Sequence, residues 1–408
     1  MSIKTQIAIV GAGPAGLIAA ETLAKAHIGA QITLYDQMPS PARKFLLAGR
    51  GGLNLTHSKP LPDFLSAYHE AAPHLAPALA AFSPQDLQDW AAELGEPCFI
   101  GSSGRVFPKS FKASPLLRAW LRRLESLGVQ FAPRHRWTGW REGGLSFETE
   151  NGEAIIKADA ALLALGGASW AKLGSNGLWA EILAEKGIQL APFRPSNCGF
   201  DITWTPEFAA KYAGTPLKSI VLTGAGTSLR GEALMTEHGL EGGAIYALSA
   251  GLRDEIAAQG FATLHLDLRP DVTLAALTTR LSAPQKGQST SNFLRKAANL
   301  QPVQLGLLRE VFGKDIPATP EARARAIKHL PLKLLATRPI DRAISTAGGV
   351  TWPELNANLM LSKQPGTFIA GEMLDFEAPT GGYLLQGAFS TGVLAARGML
   401  EWVRGSIR

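Results

Sequence analysis

The chain has 408 residues, 46% of them apolar and 18% charged. That composition can bury a sizeable core and excludes an intrinsically disordered protein, and the length predicts two or three structural units. No apolar run approaches the roughly 18 residues needed to cross a bilayer, and the N-terminus lacks a basic start, a long apolar stretch and a cleavage site, so a cytoplasmic protein with no membrane partner is expected. The formal net charge of +6 is concentrated: between Thr278 and Lys333 there are ten lysines or arginines and three acids, which leaves the remainder near neutral. Such an excess can steer an acidic partner such as RNA, or it can be a solvated helix face.

In chain order, "TQIAIV" is a short β-branched strand ending at Val10, and "PAGLIAAETLAKA" is a helix opening with Pro14 and Ala15. Gly11, Gly13 and Gly16 match GxGxxG at the junction. The first glycine allows the tight turn, the second lets backbone approach a pyrophosphate, and the third lets helix and strand pack closely. The helix N-terminus then offers free N–H groups and the positive end of its dipole to phosphates. "QITLYD" is a second strand ending at Asp36, placed to accept hydrogen bonds from an adenosine ribose, with Gln37 beside it.

A second glycine-rich loop follows, "PARKFLLAGRGGLNLTH", and then "SPQDLQDWAAEL", a helix capped by Ser83 with Pro84 in its first turn. "GVQFAPRHRWTGWR", "LSFETE" and the stretch after the hairpin signal Asn151-Gly152 read as a β-meander, continued by "AIIKADAALLALGG". "LTGAGTSLRG" fails the GxGxxG spacing and reads as a β-turn. Near the C-terminus, "GTFIAGEMLDFEAPTGGYLLQGAFSTGVLAARGML" gives a strand ending at Ala370, then Gly371-Glu372, then Gly381-Gly382 opening a long small-residue helix. Cys98 and Cys198 stand in no CxxC or metal-ligand spacing, so both are expected as core thiols and no metal site is expected.

This order resembles the flavoproteins of the glutathione reductase superfamily. Six blocks, "RKFLLAGRGGLNLTH", "GRVFPKSFKAS", "LALGGASWAKLGSNG", "GEALMTEHGLEGGAI", "STAGGV" and "AGEMLDFEAPTGGYLLQ", resemble more closely the YhiN/BaiN-type NAD(P)/FAD-dependent oxidoreductases. The resemblance implies an α/β fold with a split Rossmann-type FAD-binding domain (1–194 and 343–408) containing a three-stranded β-meander. It also implies an inserted substrate region at 195–342, β-barrel-like at 195–250 and about 325–342 and helical at about 251–324. Non-covalent FAD is implied, with NAD(P)H as a transient electron donor. By the same resemblance Arg43 and Lys44 lean on the pyrophosphate or flavin edge, Asn54 and Gly166 belong to cofactor-binding loops, and Trp137 lies against adenine through its backbone. Glu372 after Gly371 holds the ribityl chain, and the helix start at Gly381, Gly382, Tyr383 and Leu384 faces the flavin. The chain departs from the family where Gly52 and Leu53 replace Arg-Cys, Leu165 replaces Thr and Leu384 replaces Asn.

Family members reduce carbon–carbon double bonds, so the expected activity is NAD(P)H-driven reduction of a C=C bond in a small organic molecule. Hydride delivery leaves a carbanion that needs a proton, which makes Tyr383, His57 and His238 the candidate donors. The alternatives are a flavin-dependent RNA uridine reductase forming dihydrouridine in rRNA, which would use the basic segment 278–333, and a non-catalytic flavin-binding protein.

Overall fold

The computed structural model describes residues 5–285 and 287–406; Lys286 of the basic segment lies outside them. Residues 5–194 and 345–406 form one compact unit, and 195–344 form another.

In the first unit, short apolar segments separated by helices pair into a parallel sheet, because a βαβ crossover returns each strand in the same direction. Gln6–Val10 pairs with Gln31–Asp36 on one side and with Ala160–Leu163 on the other. Gln130–Pro133 extends one edge and Thr367–Ile369 the other, all parallel. The strand order therefore reverses beside Gln6–Val10, and at such a switch point the strand ends open a crevice for ligand. Ala160–Leu163 and Thr367–Ile369 are wholly buried, as a sheet covered on both faces requires.

Helices Pro14–Lys25 and Tyr383–Ser406 cover this sheet. They approach closely because Gly392 has no side chain: a Cβ there would sit 2.4 Å from Ala15 O. Arg136–Arg141, Gly144–Thr149 and Gly152–Ile156 form an antiparallel three-stranded sheet. Its second turn is centred on residues 150 and 151, one position earlier than the Asn151-Gly152 signal, since Thr149 pairs with Gly152. A smaller sheet joins Thr56–His57, Arg105–Pro108 and Cys98–Ile100.

The second unit has seven strands in the order Leu330–Leu334, Ala262–Asp267, Pro216–Gly224, Thr227–Met235, Gly239–Glu241, Phe200–Asp201, Ala336–Thr337. Its first and last strands are separated in sequence by Leu335 alone, so the sheet curls until its two edges reach neighbouring residues. Phe200, Leu222, Leu264, Leu266 and Leu332 make its core with Ile245, Leu248 and Leu252 of the helix Gly243–Gln259. The expected internal division is corrected here. That helix begins inside the stretch read as barrel, and the strand Ala262–Asp267 interrupts the stretch read as helical. "ATLHLD" alternates buried and half-buried positions over only six residues, too few to stand out between flanking helices.

One buried carboxylate ties helices of the first unit together. Glu21, 1% exposed, accepts from Trp90 Nε1 at 2.9 Å and pairs with Lys25 at 2.8 Å and Arg123 at 3.0 Å. Burial pushes its carboxyl up, and the bonds from Lys25, Trp90 and Arg123 more than reverse that, so it titrates below the ordinary range. A depressed carboxylate contributes stability that is present above its unfolded pKa and lost as pH falls through the folded one. Glu21→Ala should therefore cost about 1–3 kcal/mol at pH 7, and the gap in unfolding midpoint from the parent should close as the pH is lowered below 4.5.

Candidate active site

The glycine turn separates packing from ligand binding. Gly11 has φ +108, and a Cβ on it would meet Ala164 O at 2.2 Å; one on Gly16 would meet Gly11 O at 2.0 Å. Both must be glycine for strand and helix to pack. A Cβ on Gly13 would meet nothing within 4 Å, yet Gly13 caps the helix Pro14–Lys25 with no side chain closing its N-terminus. The protein itself does not require a glycine there.

Gly13 opens into a cleft lined also by Gly11, Pro14, Asp36, Gln37, Arg43, Lys44 and Trp137. Ala15 and Gly16 lie in the first turn of the helix, both buried, Ala15 against Gly371 and Gly392 and Gly16 against the strand end at Ile9 and Gly11. Asp36 Oδ2 accepts from Ala12 N and Oδ1 from Met38 N, each at 2.7 Å, which presents the carboxylate at the cleft with lone pairs to spare. Burial pushes its carboxyl above the ordinary range, against the pull of those two bonds and of Arg43. Gln37 Nε2 donates to Gly174 O, and the Trp179 indole donates to Gly166 O, so the loop 166–179 forms the far wall. Trp137 is buried, with its indole edge-on to Trp140. Arg43 Nε and Trp137 Nε1 are buried without a protein partner. Two orphaned donors, an open glycine and a helix N-terminus suit a group bearing phosphates and ring acceptors, as FAD does.

Lys44 links this cleft to a second cluster. Its Nζ lies 2.7 Å from Glu372 Oε2 and 2.7 Å from Ser169 Oγ. Glu372 Oε2 also accepts from Gly167 N, and Oε1 accepts from Thr346 N, leaving one acceptor position on Oε1 for a hydroxyl. Thr346 Oγ1 in turn accepts from Ala168 N and Ser169 N. Gly371 N donates to Thr391 Oγ1, which seats the Glu372 turn on the long helix. Ser169 and Thr346 were not singled out from sequence, although both sit in the quoted blocks "LALGGASWAKLGSNG" and "STAGGV".

The long helix starts against the strand Thr56–His57. Gly382 has φ +93, and a Cβ on it would come 2.5 Å from Thr56 Cα; Gly381, also at positive φ, precedes it. Tyr383 is 4% exposed, its ring packed between His57 at 5.5 Å and Phe64 at 4.7 Å, and Leu384 beside it is half-buried. Burial holds the Tyr383 hydroxyl above its ordinary pKa, so it stays protonated at neutral pH. His57 Nδ1 accepts from Lys59 N, so Nε2 carries the proton and donates to Ser103 O. Burial also lowers its pKa, so the ring is neutral, committed to backbone and stacked on Tyr383. Asn54 Nδ2 is spent on Thr56 O and Val106 O, which shapes the loop. His238 is an exposed turn residue of the second unit. Cys98 is half-buried and Cys198 buried, and burial raises the Cys98 thiol to about 11.

Packing glycines on either side of a glycine that faces the cleft mark a Rossmann dinucleotide fold. It belongs to the family described as HI0933-like protein Rossmann domain, which matches residues 5–398. It is 27% identical to the 3-dehydro-bile acid delta(4,6)-reductase of Clostridium scindens, over 97% of this chain and 99% of the relative. It is 26% identical to the ribosomal RNA dihydrouridine synthase of Escherichia coli, over 96% and 97% respectively. Among solved structures, the 3-ketosteroid delta1-dehydrogenase of Sterolibacterium denitrificans shares the fold, with a TM-score of 0.55 at 12% identity over 98% of this chain and all of that one.

The three glycines separate experimentally. Gly13→Ala should keep the fold, at a cost to the apoprotein of about 1 kcal/mol or less, while weakening FAD, measured by quenching of flavin fluorescence. Gly11→Ala should lower the unfolding midpoint itself. Equal FAD affinity in Gly13→Ala and the parent would remove the ligand from this turn.

Proposed function

We propose that the protein is an FAD-dependent reductase of a C=C bond in a small organic molecule, with NAD(P)H as the transient electron donor. The observation that carries this reading is the Lys44–Glu372 pair, which joins the cleft at Gly13 to the turn that leads into the Tyr383 helix. In this reading Gly13, Arg43 and the first helix hold the pyrophosphate, Asp36 takes the ribose, and the backbone beside Trp137 takes the adenine. Glu372 takes a ribityl hydroxyl, and the start of Tyr383–Ser406 faces the ring with the positive end of its dipole. When bound, FAD would supply the hydride chemistry. The chain's own contribution is a protonated Tyr383, its ring packed among Phe64 and Tyr68, whose Oη would deliver a proton to the reduced carbon. In the same reading the FAD domain is split by 195–344, whose curled sheet is a barrel-like insert for substrate.

The reading is tested on the purified protein. It should be yellow, with FAD released on denaturation, and the flavin reduced anaerobically with NAD(P)H should be reoxidised by a C=C substrate. Tyr383→Phe should slow that reoxidation about 10²–10⁴-fold while flavin reduction by NAD(P)H stays unchanged. Reoxidation at the parental rate would take the proton donor away from Tyr383.

A second reading, reduction of uridine in RNA, is motivated by the relative named as a ribosomal RNA dihydrouridine synthase and by the exposed cations Arg280, Arg295 and Lys296. Other cations of that segment are already engaged by protein, Lys328 by Asp267 and by the carbonyls of Arg269 and Val272. If RNA docks here, changing Arg280, Arg295 and Lys296 to Gln should flatten the salt dependence of RNA binding by roughly one slope unit per lost contact. Absence of salt-dependent RNA binding in the parent leaves the small-molecule reading alone.

A further inference from the structure

The small antiparallel sheet has one buried face and one open face. Directly opposed residues share a face and alternate along a strand. Val106 opposes Thr56, and both are fully buried. On the other face Phe107 opposes Phe99, and Arg105 opposes His57. Phe111 adds its ring 4.8 Å from Phe107 and 6.2 Å from Phe99, and those two are 5.7 Å apart. Phe99 and Phe111 are each 43% exposed. Two exposed phenylalanines clustered with a third that is half-buried are an unusual use of apolar surface for a folded chain.

Phe111 is held there. It has φ +62, a conformation that a bulky residue adopts only under constraint. Its N–H donates to Pro108 O at 2.8 Å and its carbonyl accepts from Leu53 N at 3.0 Å. Its ring covers Gly52 so closely that a Cβ on Gly52 would lie 2.2 Å from Cε1. Gly52 and Phe111 thus form one fitted pair, and the ring stands in the space a side chain at 52 would fill.

The segments that carry the cluster are cationic. No aspartate or glutamate occurs in 37–62 or in 97–124. Arg50, Lys109 and Lys112 are exposed and Arg105 is half-buried, and none of the four forms an ion pair among the described residues. From Arg105 the face continues through His57, whose ring lies 15° from parallel with that of Tyr383.

We propose that this face is a binding platform for a flat, fused-ring organic anion, with its rings against Phe99, Phe107 and Phe111 and its acid group paired with Arg105. The aromatic cluster has the footprint of one ring system, whereas a nucleic-acid strand needs stacking positions spaced along a backbone. A guanidinium that has no carboxylate partner matches the planar fork of a carboxylate or sulfonate. The purpose of the platform rests on the reductase reading, since the face ends at Tyr383, but its binding can be measured without any flavin chemistry.

The experiment titrates 2-naphthoate and its neutral isostere 2-naphthalenemethanol into the full-length FAD-loaded protein and follows naphthalene fluorescence. Naphthoate should bind the parent more tightly than the alcohol and loosen with salt. Arg105→Gln should weaken naphthoate about tenfold or more and leave the alcohol unchanged. Phe99→Ser and Phe111→Gly should weaken both; glycine keeps the left-handed backbone at 111, and unchanged FAD content shows that each variant is folded. Naphthoate affinity that is the same in the parent and all three variants overturns the platform. So does displacement of naphthoate by a short single-stranded RNA at lower concentration than by free naphthalene acids, which would make the face a nucleic-acid surface, or a dimer that is lost with Phe99→Ser. If the parent carries no FAD, the reductase reading fails, and the same titration still decides the platform.

Discussion

The contact between Lys44 and Glu372 organises the first unit. The two residues are 328 positions apart, and their 2.7 Å ion pair fastens the loop after the second strand to the turn after the last one. Both side chains remain partly accessible, so the pair adds little to stability by itself. Its effect is positional. It neutralises a carboxylate that would otherwise repel an anionic cofactor, and the bonds from Gly167 N and Thr346 N fix which way that carboxylate faces. Four separate chain segments meet on one side chain.

The glycines around this contact divide into two kinds. Those at 11, 16, 382 and 392 are demanded by neighbouring protein atoms closer than any Cβ tolerates. The glycine at 13 is demanded by nothing in the chain and faces the cleft. Gly52 is a third case, because the group that excludes a side chain there is Phe111, itself exposed and held in a strained backbone. A backbone opening filled by an exposed aromatic ring shapes a surface, whereas an opening left empty leaves room for a ligand.

Much of the nucleotide half was legible in the sequence because its signals are local. The glycine spacing, the β-branched run before it and Asp36 after the second strand lie within one βαβ unit, and each residue lines or supports the cleft. The strand Ala262–Asp267 was not legible, since six residues of alternation between helices are a weak signal and its two pairing partners lie more than forty residues before it and more than sixty after. Asn54 was visible as a motif position, but the direction of its amide, into Thr56 O and Val106 O, depends on a loop conformation that composition does not encode. The Lys44–Glu372 pair was hidden because it exists only after segments 328 positions apart have been brought together; the phenylalanine face is local in sequence, but which face of its two strands stays open depends on what covers the other.

The place of the edge strand Thr367–Ile369 has a consequence for how the protein is made. This strand and the helix Tyr383–Ser406 complete the parallel sheet, yet they are translated after the whole of 195–344. During synthesis the second unit can close on itself while the first stands with an unpaired strand edge at Ala160–Leu163 and no partner for Lys44. The edge at Ala160–Leu163 is therefore covered last, once Thr367–Ile369 has been made.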